Sequence, residues 1–294
     1  MGDLLAQLDA RIKALAGDWT KYTVVGSFLL YVAGYLALRF HLTTIGIGTD
    51  LAVLDERYVF TGARFLIYLV SAVPSLILMS LPVVAVVWAA STLLPAAVRS
   101  GIATWLGQPA RLALLGVAIS VIAIQAVMRQ CFVFSDLLLA RELPRAPRWL
   151  VALLLDDWLM PIYFSLLVGL CAVPLAILWA LRALDTPSGP AAVARGLLAF
   201  LTLVQILLLP VNYGVLVVDK ALPRVAALGA QPLAAGEEAW LAWEGKEGVT
   251  FLVSRVDRRR ALVTLPRPDV KRVEIVGFDR IVPTLFRPRG ESPR

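Results

Sequence analysis

His41 is the chain's only histidine, and Cys131 and Cys171 are its only cysteines. That leaves histidine metal sites and paired haem ligands without their residues, and makes Ser-His-Asp hydrolysis a poor reading. Asp156 and Asp157 form a carboxylate pair, but no partner acid, base or metal ligand can be named for it. At the start of an apolar run the pair fits the positive end of a helix dipole better than a catalytic role. Gly245-Lys246 resembles part of a phosphate loop. Trp240, however, stands where the earlier glycine is required, and Glu247 follows in place of Ser or Thr. Arg258-Arg259-Arg260 could meet phosphates, yet at a turn such a run reads as a solvated surface or one that meets anionic lipid, and no nucleic-acid partner is expected. No cofactor, metal or catalytic residue is expected, and the chain reads as a non-enzyme.

Two groups of polar residues remain as candidates. Arg39, His41, Asp50, Asp55, Glu56, Arg57 and Arg64 fall between the first two apolar runs, with acid and base nearly balanced. They read as interfacial ion pairs with snorkelling arginines, or else as a charged cluster at the mouth of a cavity or a docking surface for another chain, with Arg39, Asp55, Glu56, Arg57 and Arg64 as the candidate contacts. Gln125, Gln205 and Asn212 are neutral amides inside apolar runs. Pro210 frees a backbone carbonyl that Asn212 could bond, or Asn212 could reach another helix. Proton- or ion-coupled transporters place Asp, Glu or His near mid-membrane, and no run here carries one at its centre.

The elements that must hold these residues are mostly apolar. Of 294 residues 59% are hydrophobic and 17% charged, with a mean hydropathy of +0.78, well outside soluble usage. Between Arg64 and Arg99 there is no Asp, Glu, Lys, Arg or His. As one helix that stretch exceeds a hydrocarbon core of about 30 Å, so it must tilt, kink at Pro74 and Pro82, or fold back through 79–82 as a hairpin. The expected architecture is a multi-pass α-helical membrane protein with five spans, or six if the hairpin forms, near 22–40, 65–90, 112–131, 159–181 and 196–218. Residues 1–21 read as an amphipathic interfacial helix, and Gly26, Ser27, Ala33, Gly34 and Ala37 as small surfaces for helix contact in the first span. The cysteines lie in or beside apolar helices and are expected as free thiols.

From Gly236 the texture changes to short alternating runs at 239–244, 249–255, 261–265 and 272–276, separated by turn residues. They predict a small C-terminal antiparallel β domain over 236–286, an SH3-sized barrel or a curled sheet, after a linker at 219–235 and before an unanchored tail at 287–294. Strict alternation puts Trp240 and Trp243 on opposite faces of one strand, one in the core and one exposed near Lys246 as a contact residue. The net charge of +7 lies largely after Asp219 and in short loops. Arg141, Arg145 and Arg148 place their loop, and with it the C-terminus, in the cytoplasm under an inner (plasma) membrane. The expected role is an anchor, scaffold or subunit of a membrane complex, its partners being membrane lipid and another protein or further copies of itself. A channel or facilitator for an ion or small solute is the alternative.

Overall fold

A computed structural model describes residues 19–47, 56–135, 137–140, 152, 159–183, 189–218, 221–245, 248–255, 257, 259–270 and 272–286. Asp55, Lys246, the amphipathic segment at 1–18, the loops with Arg141 to Arg148, Asp156-Asp157 and Asp185, and the tail lie outside the described residues. Five helices are long and apolar enough to cross a membrane. They are α1 (Trp19–Ile45), α2 (Glu56–Leu93), α4 (Pro109–Val133), α5 (Leu159–Ala183) and α6 (Pro190–Leu216). A shorter helix, α3 (Ala96–Leu106), occupies what the sequence left as an irregular connection.

The long uncharged stretch does not fold back. Pro74 and Pro82 lie inside a single helix of 38 residues. The hydroxyl of Ser80, the one polar group that could have held a hairpin turn, bonds the Ile77 carbonyl of its own helix at 2.7 Å. The chain turns only after Leu93, where Pro95 precedes α3 and Arg99 Nη1 donates to the Ser91 carbonyl at 3.1 Å.

Within the bundle α6 packs against α1, α4 and α5, and α1 against α2. Two close backbone approaches set these contacts. A Cβ added to Gly34 would collide with the Tyr58 carbonyl, one added to Gly62 with the Leu30 carbonyl, and one added to Gly214 with the Ala37 carbonyl. Gly34 and Ala37 are therefore contact residues of α1, while a Cβ on Gly26 would meet none of the described residues. Behind Gly34, Tyr58 is fully buried between the edges of Tyr31 and Tyr35, with ring centroids 5.2 and 5.5 Å away.

The C-terminal part is an open five-stranded antiparallel sheet, not a closed barrel, in the order β6-β5-β4-β1-β7. Its strands are β1 (Ala221–Val225), β4 (Glu238–Glu244), β5 (Gly248–Ser254), β6 (Arg260–Pro266) and β7 (Ile275–Arg280). A two-residue pair, β2 (Ala227–Leu228) and β3 (Gln231–Pro232), forms a separate ribbon. The stretch read as a linker thus supplies an interior strand of the sheet. The last strand begins three residues later than its alternating run, because β7 takes its register from β1 and not from β6.

Away from β7, each face of the sheet is covered. Val225, Ala239, Phe251 and Val253 pack with Leu228, Leu233, Val270 and Val273 on one side. On the other, Trp240, Ala242, Leu252 and Leu222 pack directly on Leu38, Leu42, Ile45 and Tyr58 of α1 and α2, with Leu138 and Ile281 at the margin. The second core joins sheet and helices into one body, closed by a last short helix, α7 (Ile281–Phe286).

Candidate functional site

The sequence candidates divide between two places, and the structure connects one pair that the sequence kept apart. Trp240 and Trp243 are three residues apart on β4 but share a face. Trp240 is opposite Leu252 and Trp243 opposite Thr250, with the register slipping by one between Leu241 and Trp243. A bulge at Ala242 inserts the extra residue and restores Trp243 to the face of Trp240. The expected opposite placement is therefore wrong, and neither ring is the free contact residue on the sheet's outer side. Trp240 is 0% exposed, and its indole N–H donates to Asp279 Oδ2 at 2.9 Å, satisfying the donor that so deep a burial would otherwise strand. Asp279 is shared with Arg224 at 3.7 Å.

Trp243 is half-buried, and the Arg57 guanidinium carbon lies 5.0 Å from its ring centroid. The same guanidinium donates from Nη1 to the Glu244 carbonyl at 2.6 Å. Arg57 comes from the first turn of α2, so a helix from the bundle holds the sheet by a stacked, hydrogen-bonded cation. At the far side Arg260 Nη1 donates to the carbonyls of Leu138 and Ala140 in the turn after α4, the Leu138 contact being 3.4 Å. Of the arginine run, Arg260 is thus a docking residue, while Arg259 pairs with Asp257 at 3.1 Å.

Beside Arg57 a cleft of about 550 Å³ opens between α1, α2 and strands β1, β4 and β7. His41, Arg57, Arg64, Trp243, Glu244 and Phe278 line it. Of the other charged candidates, Arg39 is half-buried on α1 outside this cleft, and Glu56 is exposed at the start of α2.

The amides are distributed differently from their sequence reading. Gln125 is exposed on the outside of α4, whereas Gln205 and Asn212 are buried on α6. Gln130, which the sequence analysis passed over, is 1% exposed and donates from Nε2 to Asn212 Oδ1 at 2.8 Å. The Tyr163 hydroxyl donates to Gln130 Oε1 at 2.5 Å, and Ser120 Oγ donates to Gln205 Oε1 at 3.3 Å. The signal for Gln130 was available. Ala113, Gly116, Ser120, Ala123, Val127 and Gln130 recur every three or four residues and form the buried stripe of α4. Gln205 Nε2, Asn212 Nδ2 and Ser165 Oγ are buried with no hydrogen-bond partner among the described residues. The two amides line a cavity of about 10 Å³, with Ala123, Val127, Leu167 and Cys171 also in its wall. That is room for about one water.

Cys131 and Cys171 are free thiols. Among the described residues no group of three His, Cys, Asp or Glu side chains comes close enough to hold a metal ion. Comparison with known proteins finds no matching family model, no matching characterised protein and no matching solved structure. The class that the fold defines is a helical bundle with five helices of membrane-spanning length and composition, carrying an open antiparallel sheet docked on one end.

Proposed function

We propose that this chain is a non-enzymatic, multi-span inner-membrane protein that anchors or scaffolds a complex, offering the open edge of its sheet to a partner chain. The observation that carries this reading is β7. Among the described residues it pairs with β1 alone, and it exposes Ile275, Val276 and Phe278. Edge strands are normally blunted by charge, bulges or cover, because their free backbone groups template pairing with another strand. An apolar edge left open suits strand addition by a partner, where backbone bonds supply affinity and alternate side chains supply specificity.

Membrane placement is supported by the spacing of charge. Lys21 and Arg39 on α1, and Arg111 and Arg129 on α4, are each eighteen residues apart. At 1.5 Å per residue both pairs bracket about 27 Å of helix, close to the hydrocarbon thickness. The segment with Arg141, Arg145 and Arg148 connects the end of α4 to the start of α5. Phe134, Leu137 and Met160 from those two ends pack with Val282 of α7, on the sheet's side of the bundle. The positive-inside rule therefore assigns the sheet and the C-terminus to the cytoplasm and, with five spans, the start of α1 to the opposite side. A reporter enzyme that works only after export, fused after Arg294, should be inactive.

Purification in mild detergent is expected to recover a second component at fixed stoichiometry, and Val276→Lys, which charges the edge without touching the core, should lose it. At Gln205 and Asn212 the cavity holds about 10 Å³, which is too narrow for a conduit at that point. Liposomes containing the purified chain should pass no more ion or small solute than empty ones.

A further inference from the structure

We propose that a second cleft, at the end of the bundle away from the sheet, binds the phosphate of an anionic phospholipid between the last turn of α5 and the second turn of α6. Its volume of about 390 Å³ falls in the usual range for small-ligand pockets. Each helix brings one cation to it, Arg182, which is exposed, and Arg195, which is half-buried. Neither makes a hydrogen bond or ion pair with the described residues. Their charge is not cancelled from the bundle. Among the residues of α1 to α6 the one carboxylate is Glu56, which stands next to Arg57 at the sheet end. The connection from α5 to α6 adds a single acid by sequence, Asp185, so two guanidinium groups set against it still leave a net positive charge. A guanidinium is always charged, and its planar fork of donors fits a phosphate.

What makes the ligand a lipid, and not a free anion, is the level of the cleft and the surface that continues from it. Arg195 stands twenty-one residues before Leu216, about 31 Å of helix, so when the sheet end of α6 meets one membrane surface Arg195 reaches the headgroups of the other. The rest of the lining is apolar. Leu178 supplies it from α5, and Ala192, Gly196 and Ala199 from α6, where no side chain longer than a methyl keeps an acyl chain from the helix. Leu178 and Leu175 follow Arg182 at steps of four and three, and Ala199 and Leu203 follow Arg195 at steps of four, so each arginine heads an apolar stripe. Leu175 and Leu203 are exposed. A choline or ethanolamine headgroup would set a third cation beside the two arginines, which is why the preferred lipid is anionic. The inference rests on the membrane placement proposed above but not on the partner at β7.

The test is native mass spectrometry of the full-length protein in detergent, titrated with dioleoylphosphatidylglycerol or dioleoylphosphatidylcholine. One phosphatidylglycerol should be retained in preference to phosphatidylcholine. Arg182→Gln and Arg195→Gln should each weaken that retention about tenfold, the scale of one charge-assisted hydrogen bond, with the melting temperature unchanged. Arg111→Gln, exposed in the first turn of α4 at the same end but outside the cleft, is the control and should change retention less than about twofold. Four results overturn the proposal: equal retention of the two lipids; an equal effect of Arg111→Gln, which would mean general surface charge; displacement of the adduct by millimolar inorganic phosphate; or a tenfold gain from Asp185→Asn, which would mean that the arginines are committed to that carboxylate. Failure of the membrane placement itself would look different: alkaline carbonate would strip the protein from membranes without detergent.

Discussion

The Arg57 guanidinium stacks 5.0 Å above the centroid of the Trp243 ring while donating to the backbone of the next residue, Glu244. One side chain from the first turn of α2 thereby grips the bulged end of β4, beside the core in which Trp240 meets Leu38, Leu42 and Tyr58. The sheet is a fixed part of the bundle.

The two tryptophans should therefore differ in degree and not in kind. Trp240→Ala removes a fully buried ring and its hydrogen bond to Asp279, and should cost about 3–5 kcal/mol, releasing the sheet to proteolysis. Trp243→Ala should cost about 1 kcal/mol, the scale of one partly exposed cation–π contact. Thermal unfolding in detergent with limited proteolysis orders them; equal losses would mean that the bulge does not set the face.

Helix packing offers a sharper contrast. Gly34→Leu and Gly214→Leu place a side chain against a neighbouring backbone carbonyl that cannot retreat, and should abolish a folded, monodisperse preparation. Gly26→Leu, where nothing lies within 4 Å, should leave elution and melting unchanged.

In the bundle interior, Gln130→Leu should destabilise by about 1 kcal/mol, because it removes two buried hydrogen bonds, to the Tyr163 hydroxyl and to Asn212 Oδ1. Gln125→Leu should be neutral, its side chain being exposed. In a double-mutant cycle Gln130→Leu and Asn212→Leu should be less than additive, since either one breaks their shared bond.

The helices were legible because an uncharged run of spanning length leaves the chain few alternatives, and the choice between five and six spans turned on a local detail: the Ser80 hydroxyl, two residues before Pro82, bonds back into its own helix and holds no turn. Strand β1 was not legible. It lies in the stretch read as a linker, and its Pro223 is a residue type disfavoured in interior strands; β1 pairs with β4 only at Arg224 and Val225, so the missing N–H falls outside that ladder. The face of Trp243 was hidden by the bulge at Ala242, which alternation alone does not encode. The far wall of the cleft was not legible, because β1, β4 and β7 reach Arg57 and Arg64 only through the tertiary docking of sheet on helices, more than 150 residues away in sequence.

The central claim, that β7 is the contact edge of a membrane scaffold, is tested most directly by photocrosslinking in native membranes. A cysteine-linked diazirine is placed at Val276→Cys on β7 or at Pro266→Cys, exposed at the end of the opposite edge strand β6. The account predicts one discrete protein adduct from position 276 and none from 266, its mass telling a second copy of this 31.9 kDa chain from a different protein. No adduct from 276, or the same adducts from both positions, would contradict it.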